Sequence, residues 1–325
     1  MMHLLSWAAL FLFISSSGLA SDDCSPIPNL AKNLGPVYNQ HCTHWCSIFV
    51  AADLLTQEYQ KKGLLRSNER LHPLSLAGSL FLDVGGDPSS ANARNREFYP
   101  QQVLANIGRN RPNAKLCKET DLGFDMSLRN VLFTRSKRNT TGLRSEYSAA
   151  KKCHQQDKMI ALEDEIHKIS MTTWDDLLAK KCKIPPLKLE NVSKPFYDKK
   201  REAELLGPKP IKENKIAADK MAKGIDKNLE QGKISAVLMD IDSFVDPKNN
   251  QITKECGPRA GGGLHWASVV QRRRDPDGVC EYRIRSSWGH SCLGFYRHQK
   301  CNKDGTFWLP REALTQRMAD VDYIP

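Results

Sequence analysis

The hydrophobic pattern separates a helical first part of the chain from a strand-rich last part. Over 46–61, apolar residues recur every three or four positions, which is typical of an amphipathic helix that ends before Gly63. A second helix is predicted over 74–82. Beyond 229, short runs rich in β-branched and aromatic residues predict strands at 234–239, 266–271, 282–285 and 305–309. The pattern therefore predicts an α+β fold.

The middle of the chain, 118–228, has a different composition. It is rich in lysine, poor in glycine and short of β-branched residues, which predicts charged helices. We expect these helices at 159–168, 173–181 and 212–223, with a proline-containing linker at 183–210. The predicted organisation is a helical lobe over 21–117, a charged helical insertion and linker over 118–228, and a β-rich lobe over 229–325.

The first twenty residues predict a secretory signal peptide. They contain no Asp, Glu, Lys or Arg, and an apolar run over 4–14 is followed by the small residues Gly18 and Ala20. This pattern predicts cleavage after Ala20 and a secreted or periplasmic mature protein. The run is short for a membrane span, and no other apolar stretch approaches its length, so no transmembrane segment is expected.

The ten cysteines fit an oxidising compartment. If Cys46 stays a thiol, nine remain, so at least one more cannot pair within the chain. Close spacing favours the pairs Cys292–Cys301, Cys256–Cys280 and Cys153–Cys182, although connectivity does not follow from sequence. Zinc binding is the competing interpretation, but a zinc site usually needs paired CxxC or HxxxH elements, which the chain lacks. We therefore expect no metal and no cofactor.

The net charge of +11 and the pI of about 9.1 bear on the partners of the protein. The basic residues are scattered rather than clustered, and no nucleic-acid-binding motif is present, which argues against a nucleic-acid partner. An anionic cell envelope or an acidic protein substrate fits the charge better.

Candidate chemistry centres on Cys46, the first residue of the first predicted helix. A sulfur there lies at the positive end of the helix dipole, which favours the thiolate. Gln40, six residues upstream, is a candidate hydrogen-bond donor to an oxyanion, and the distant His265 is a candidate base. Taken singly, each residue has another interpretation: Cys46 as one half of a disulfide, His265 as a histidine of the core and Gln40 as a surface glutamine. The order of all three favours catalysis.

Three blocks resemble the papain-like cysteine peptidases, particularly their exported bacterial members. They are the Gln40–Cys46 block, the strand that begins near His265 and the Ser286-Ser287-Trp288-Gly289 block. The resemblance covers about 30–115 and 229–325, and it implies a final strand at 323–324. It implies a two-lobe α+β fold, with a helical lobe carrying the nucleophile and an antiparallel β lobe carrying the histidine.

The resemblance also implies peptide-bond hydrolysis of a protein or peptide substrate. In this sequence Cys46 matches the nucleophile, His265 its base and Gln40 the oxyanion donor. Ser286 stands where the family has the asparagine that orients the histidine, and Trp288 matches the tryptophan that shields the site from water.

The chain departs from the family pattern in four places. Trp45 precedes the cysteine instead of following it, and Cys42 lies four residues before it rather than three. The hydroxyl of Ser286 is shorter than the expected amide. His265 also lies much farther from the cysteine than the roughly 130–150 residues of papain-type enzymes, which the insertion explains. The alternative hypothesis is a weak or inactive relative that binds a protein or cell-envelope partner.

Overall fold

The computed structural model describes residues 24–40, 45–84, 99–107, 115–122, 141–153, 155–187, 189, 193–197, 215–244, 263–289 and 302–325. The predicted signal peptide and the predicted Cys292–Cys301 pair lie outside the described residues. None of the described helices combines the length and the apolar character that crossing a membrane requires.

Helices predominate in the first half of the described chain and strands in the second half. The helices are α1 Cys46–Lys61, α2 Pro73–Val84, α3 Pro100–Asn106, α4 Glu119–Leu122, α5 Thr141–Lys152, α6 Gln156–Lys181, α7 Lys215–Glu230 and α8 Arg311–Gln316. The strands are β1 Ser193–Tyr197, β2 Ser235–Asp240, β3 Leu264–Arg274, β4 Cys280–Arg285, β5 Thr306–Pro310 and β6 Met318–Tyr323. Short 3-10 helices occupy Leu30–Asn33 and Ile241–Ser243.

In the described part of the chain the strands form one sheet in the order β1-β6-β2-β3-β4-β5. Every pair of neighbours is antiparallel. Together with the preceding helices, this sheet confirms the predicted α+β class. The strands predicted at 234–239, 266–271, 282–285 and 305–309 match β2 to β5, with ends that differ by up to three residues. The last strand, expected at 323–324, overlaps β6 only at Tyr323, and β1 was not predicted.

The sheet has an apolar core on each face, because side chains alternate along a strand. In β2, Ala236 and Leu238 belong to the core shared with α1, whereas Val237 and Met239 belong to the opposite core. The apolar side of α1, including the fully buried Ile48, packs into the first core. This packing holds the first turn of α1 close to the sheet.

The segment 118–228 contacts both parts of the fold. The two helices predicted at 159–168 and 173–181 are one continuous helix, α6, because no proline or glycine interrupts the stretch between them. The helix α7 buries Met221, Ile225 and Leu229 in the core on the far side of the sheet. The strand β1 lies inside the predicted linker and pairs with β6. The division of the chain into domains at 117 and 228 stays a prediction.

The described disulfides differ from those predicted by close spacing. Cys280 pairs with Cys24, not with Cys256, and Cys182 pairs with Cys117, not with Cys153. Backbone pairing explains both bonds, because bridges Ile27↔Arg272 and Leu116↔Ile184 bring distant segments side by side. Cys153 is an exposed thiol. Spacing along the chain was therefore a poor guide to proximity in the fold.

Candidate active site

The helix α1 places the thiol of Cys46 at its first turn. Trp45 occupies the N-cap position, and its carbonyl oxygen accepts from the backbone N–H groups of Ile48 at 2.9 Å and Phe49 at 3.2 Å. Cys46 is partly exposed and takes part in no disulfide. Its sulfur therefore lies at the positive end of the helix dipole.

The strand β3 places His265 near its start, in register with Met239 of β2. The imidazole is 4% exposed, and its Nε2 lies 3.1 Å from the hydroxyl oxygen of Ser286. The ring of Trp288 covers the imidazole, with ring centroids 4.7 Å apart and an interplanar angle of 47°. The sequence-predicted residues His265, Ser286 and Trp288 thus lie in direct contact.

Burial determines the charge of His265. Removal from water disfavours the imidazolium and lowers the pKa of His265 from 6.5 to about 3. The ring is therefore neutral at neutral pH. In the tautomer with the proton on Nε2, that N–H donates to Ser286, and the Nδ1 lone pair can accept a proton.

The backbone places Gln40 beside the segment that follows β4. The N–H of Gln40 donates to the carbonyl oxygen of Ser287 at 2.6 Å, and the N–H of Gly289 donates to that of Tyr38 at 3.0 Å. Gly289 has φ +81°, and a Cβ there would lie 3.2 Å from the Cβ of Asn39, so this close pairing requires glycine.

The side chain of Gln40 is buried, and the Ser287 hydroxyl donates to its Oε1. The NH2 end of the amide is its donor group, which is the group that a role toward a developing oxyanion would use. Ser287 was missed as a site residue in the sequence, although it lies inside the Ser286–Gly289 block.

The segment 286–289 therefore collects four of the five predicted site residues: Ser286 and Trp288 belong to it, and His265 and Gln40 contact it. Cys46 comes from a different element, α1, which packs against β3. Within the described residues, no group of three or more His, Cys, Asp or Glu side chains is arranged to hold a metal ion.

A buried arginine beside the site was not predicted from the sequence. Arg285, the last residue of β4, is 3% exposed and forms an ion pair with Asp53 of α1. Its place directly before Ser286 was an available clue. Arginines alternate along this strand at 283 and 285, which is a pattern typical of a solvent-facing side, so burial could not be inferred from it.

Comparison with known proteins gives structural similarities only. No family model matches the chain, and no curated protein matches it. Solved structures that resemble it include digestive procathepsin L 3 of Tenebrio molitor larval midgut, with 11% identity and a TM-score of 0.45 over 94% of this chain and 71% of that chain.

Two further similar structures come from a plant and a bacterium. The Amb a 11 cysteine protease, a ragweed pollen allergen solved in its proform, has 11% identity and a TM-score of 0.43 over 93% of this chain and 66% of that chain. PepW from Lactobacillus rhamnosis has 13% identity and a TM-score of 0.44 over 92% of this chain and 81% of that chain.

These solved structures are papain-like cysteine proteases, the family that the sequence motifs resemble. With identities of 11–13% and TM-scores below 0.5, these similarities do not assign a catalytic activity or catalytic residues to this chain. Any catalytic role must therefore come from the contacts of the chain's own residues.

Proposed function

We propose that the protein is a secreted cysteine peptidase that hydrolyses peptide bonds with Cys46 as nucleophile. The observation that supports this most strongly is the hydrogen-bonded pair His265–Ser286 beneath Trp288, on a sheet packed against the helix that begins at Cys46. A thiol at a helix N-terminus and a shielded, oriented imidazole are the two parts that acyl transfer to sulfur requires.

In the proposed reaction, the sulfur of Cys46 attacks the carbonyl carbon of the peptide, and His265 accepts the thiol proton. The carbonyl electron pair moves to oxygen, where the NH2 of Gln40 and the backbone N–H of Cys46 stabilise the negative charge. The C–N bond then breaks as His265 delivers the proton to the leaving amine. Water hydrolyses the remaining thioester, with His265 again as base, and regenerates the thiol.

The neutral state of His265 affects how the thiol is activated. A thiolate–imidazolium pair needs a charged imidazole, and the burial of His265 opposes that charge. In our proposal the thiolate of Cys46 and the helix dipole offset this cost as the pair forms. Burial alone makes the isolated imidazole a weak base, so proton transfer in this proposal depends on formation of the pair with Cys46.

Secretion is the second part of the proposal. The bonds Cys24–Cys280 and Cys117–Cys182 support an oxidising compartment, since disulfides persist there and are rare in the cytosol. The apolar first twenty residues give the same indication.

The direct test is covalent labelling of the purified protein with an epoxide inhibitor of thiol proteases. We expect one adduct, which peptide mapping assigns to Cys46, together with cleavage of a mixed peptide library. Pre-treatment with the inhibitor should stop the cleavage. A well-folded protein that neither reacts nor cleaves would contradict the proposal.

A second candidate function is binding of a protein or cell-envelope partner without catalysis. Two observations favour it: burial keeps His265 neutral, and a hydroxyl replaces the amide that orients the histidine in the family. The same labelling experiment separates the two functions, because a binding protein does not need an activated thiol.

Replacing Ser286 with asparagine should raise kcat/KM about tenfold, equivalent to roughly 1.4 kcal/mol of transition-state stabilisation. A longer amide can accept from Nε2 more firmly than the hydroxyl at 3.1 Å, and it holds the imidazole in the productive tautomer. Ser286 borders a small cavity that is also lined by Phe49 and Val50, and this cavity lies where the longer asparagine side chain would need room.

Steady-state kinetics of the wild type, Ser286→Asn and Ser286→Ala test this prediction. We expect the alanine variant, which lacks any hydrogen-bonding group, to be the slowest of the three. An equal or lower rate in a folded asparagine variant would mean that another group already orients His265.

A further inference from the structure

One side chain, Arg285, joins the nucleophile helix α1 and the segment that leads to Gln40 to the end of β4. It ends β4 directly before Ser286, and its Nε donates to Oδ2 of Asp53 in α1 at 2.8 Å. Its two terminal nitrogens donate to three consecutive backbone carbonyls of the segment that leads to Gln40: Gly35 at 2.7 Å, Leu34 at 3.1 Å and Pro36 at 3.0 Å. The guanidinium thus joins β4, α1 and the Gln40 segment.

The contact with α1 reaches the helix face that carries the nucleophile. Asp53 follows Cys46 by two helical turns, roughly 10 Å along the axis, so both residues lie on one side of α1. Arg285 is 3% exposed and Asp53 17% exposed in this ion pair. A planar guanidinium can satisfy a carboxylate and several carbonyls at once, whereas a lysine ammonium cannot do so in this geometry.

The contact with the Gln40 segment fixes a stretch that lies outside helices and strands. A second buried arginine, Arg70, donates to the carbonyls of Leu34 and Pro36 from the same nitrogen and forms an ion pair with Glu119 at 2.7 Å. Gly35 has φ +63°, and a Cβ there would lie 3.0 Å from Nη1 of Arg70, so glycine permits this approach. Buried carbonyls need such donors, and here charged ones supply them.

We infer that Arg285 is a positioning residue for the proposed peptidase reaction. By holding the carbonyls of 34–36 against α1 and β4, it sets the place of Gln40, and therefore of the oxyanion donor, relative to Cys46. In this role Arg285 acts through Gln40. The inference rests on the proposed function, because it assigns a role within that reaction.

The test compares Arg285→Lys with Arg283→Lys. Arg283 lies two positions earlier in the same strand and also makes several hydrogen bonds, to Thr306, Gln271 and Asp304, but none to the proposed site residues. We expect Arg285→Lys to lower kcat by tenfold to a hundredfold with little change in KM, because misplacing a transition-state donor costs rate rather than ground-state binding. Arg283→Lys should keep the wild-type kcat.

A double-mutant cycle with Gln40→Ala shows whether Arg285 acts through Gln40. If it does, Arg285→Lys should cause little further loss in the Gln40→Ala background. An equal loss in both backgrounds would overturn the inference. If Arg285→Lys does not fold, Asp53→Asn breaks the same ion pair more mildly and enters the same cycle.

Hydrogen exchange gives a readout that does not depend on activity. The amide of Gln40, which donates to Ser287, should exchange faster in Arg285→Lys than in the wild type or in Arg283→Lys. Unchanged exchange would overturn the inference whatever the kinetics. A wild-type protein that cleaves no peptide would instead overturn the proposed function, and with it this positioning role.

Discussion

Replacing Cys46 with alanine should abolish peptide hydrolysis, with kcat reduced by about a thousandfold or more. Covalent catalysis fails without the sulfur, because the nucleophile and its base act as one unit, and the oxyanion donors that remain accelerate attack by water only weakly. Initial rates on the peptide library cleaved by the wild type would measure the loss. Circular dichroism and thermal unfolding should show that the fold is retained, since Cys46 lies partly exposed at a helix end.

Cys153 provides the matched control for this substitution. It is the other described cysteine outside a disulfide, is exposed, and lies directly after α5 rather than at the start of α1. Cys153→Ala should therefore hydrolyse peptides at the wild-type rate and keep the epoxide adduct on Cys46. Hydrolysis that survives in Cys46→Ala but disappears in Cys153→Ala would show that Cys153, and not Cys46, is the nucleophile.

Much of the fold could be predicted because periodicity reports burial directly. The apolar positions of α1 lie on one side of a helix, and those of β2 occupy both faces of a buried strand, so each pattern has a simple structural meaning. The strand β1 was missed because Ser193–Tyr197 contains a proline and lies in a polar stretch, which resembles a linker. Its pairing with β6 is a long-range contact that a local pattern does not encode.

The candidate site was predictable to the extent that its residues form short blocks. Gln40 and Cys46 lie in one block, and Ser286 and Trp288 in another, so their neighbourhood could be inferred from motif alone. The proposed role of Arg285 could not be inferred in this way, because its partners Asp53 and Gly35 are far away in sequence and only the folded chain brings them together. The charge state of His265 could not be inferred from the sequence either, because it depends on how deeply the folded chain buries the ring.

Burial of His265 should make the stability of the protein depend on pH. The folded protein has a neutral ring with a pKa of about 3, whereas the unfolded chain has the ordinary value of 6.5. Between these values the unfolded state binds a proton that the folded state does not, so the free energy of unfolding decreases as the pH falls through this range. The slope approaches 1.4 kcal/mol per pH unit, and the loss between pH 7 and pH 4 amounts to about 3 kcal/mol.

The variant His265→Gln isolates this contribution, because glutamine can still hydrogen-bond to Ser286 but cannot take up a proton. Urea unfolding of both proteins from pH 7 to pH 4 should show the wild type losing about 3 kcal/mol more than the variant, since other titrating groups affect both alike. A constant difference across this range would mean that folding leaves the pKa of His265 at its ordinary value, which contradicts the prediction. A wild type that instead gains stability relative to the variant as the pH falls would mean that folding raises the pKa, as a resting thiolate–imidazolium pair with Cys46 requires, and Cys46→Ala should then remove that gain.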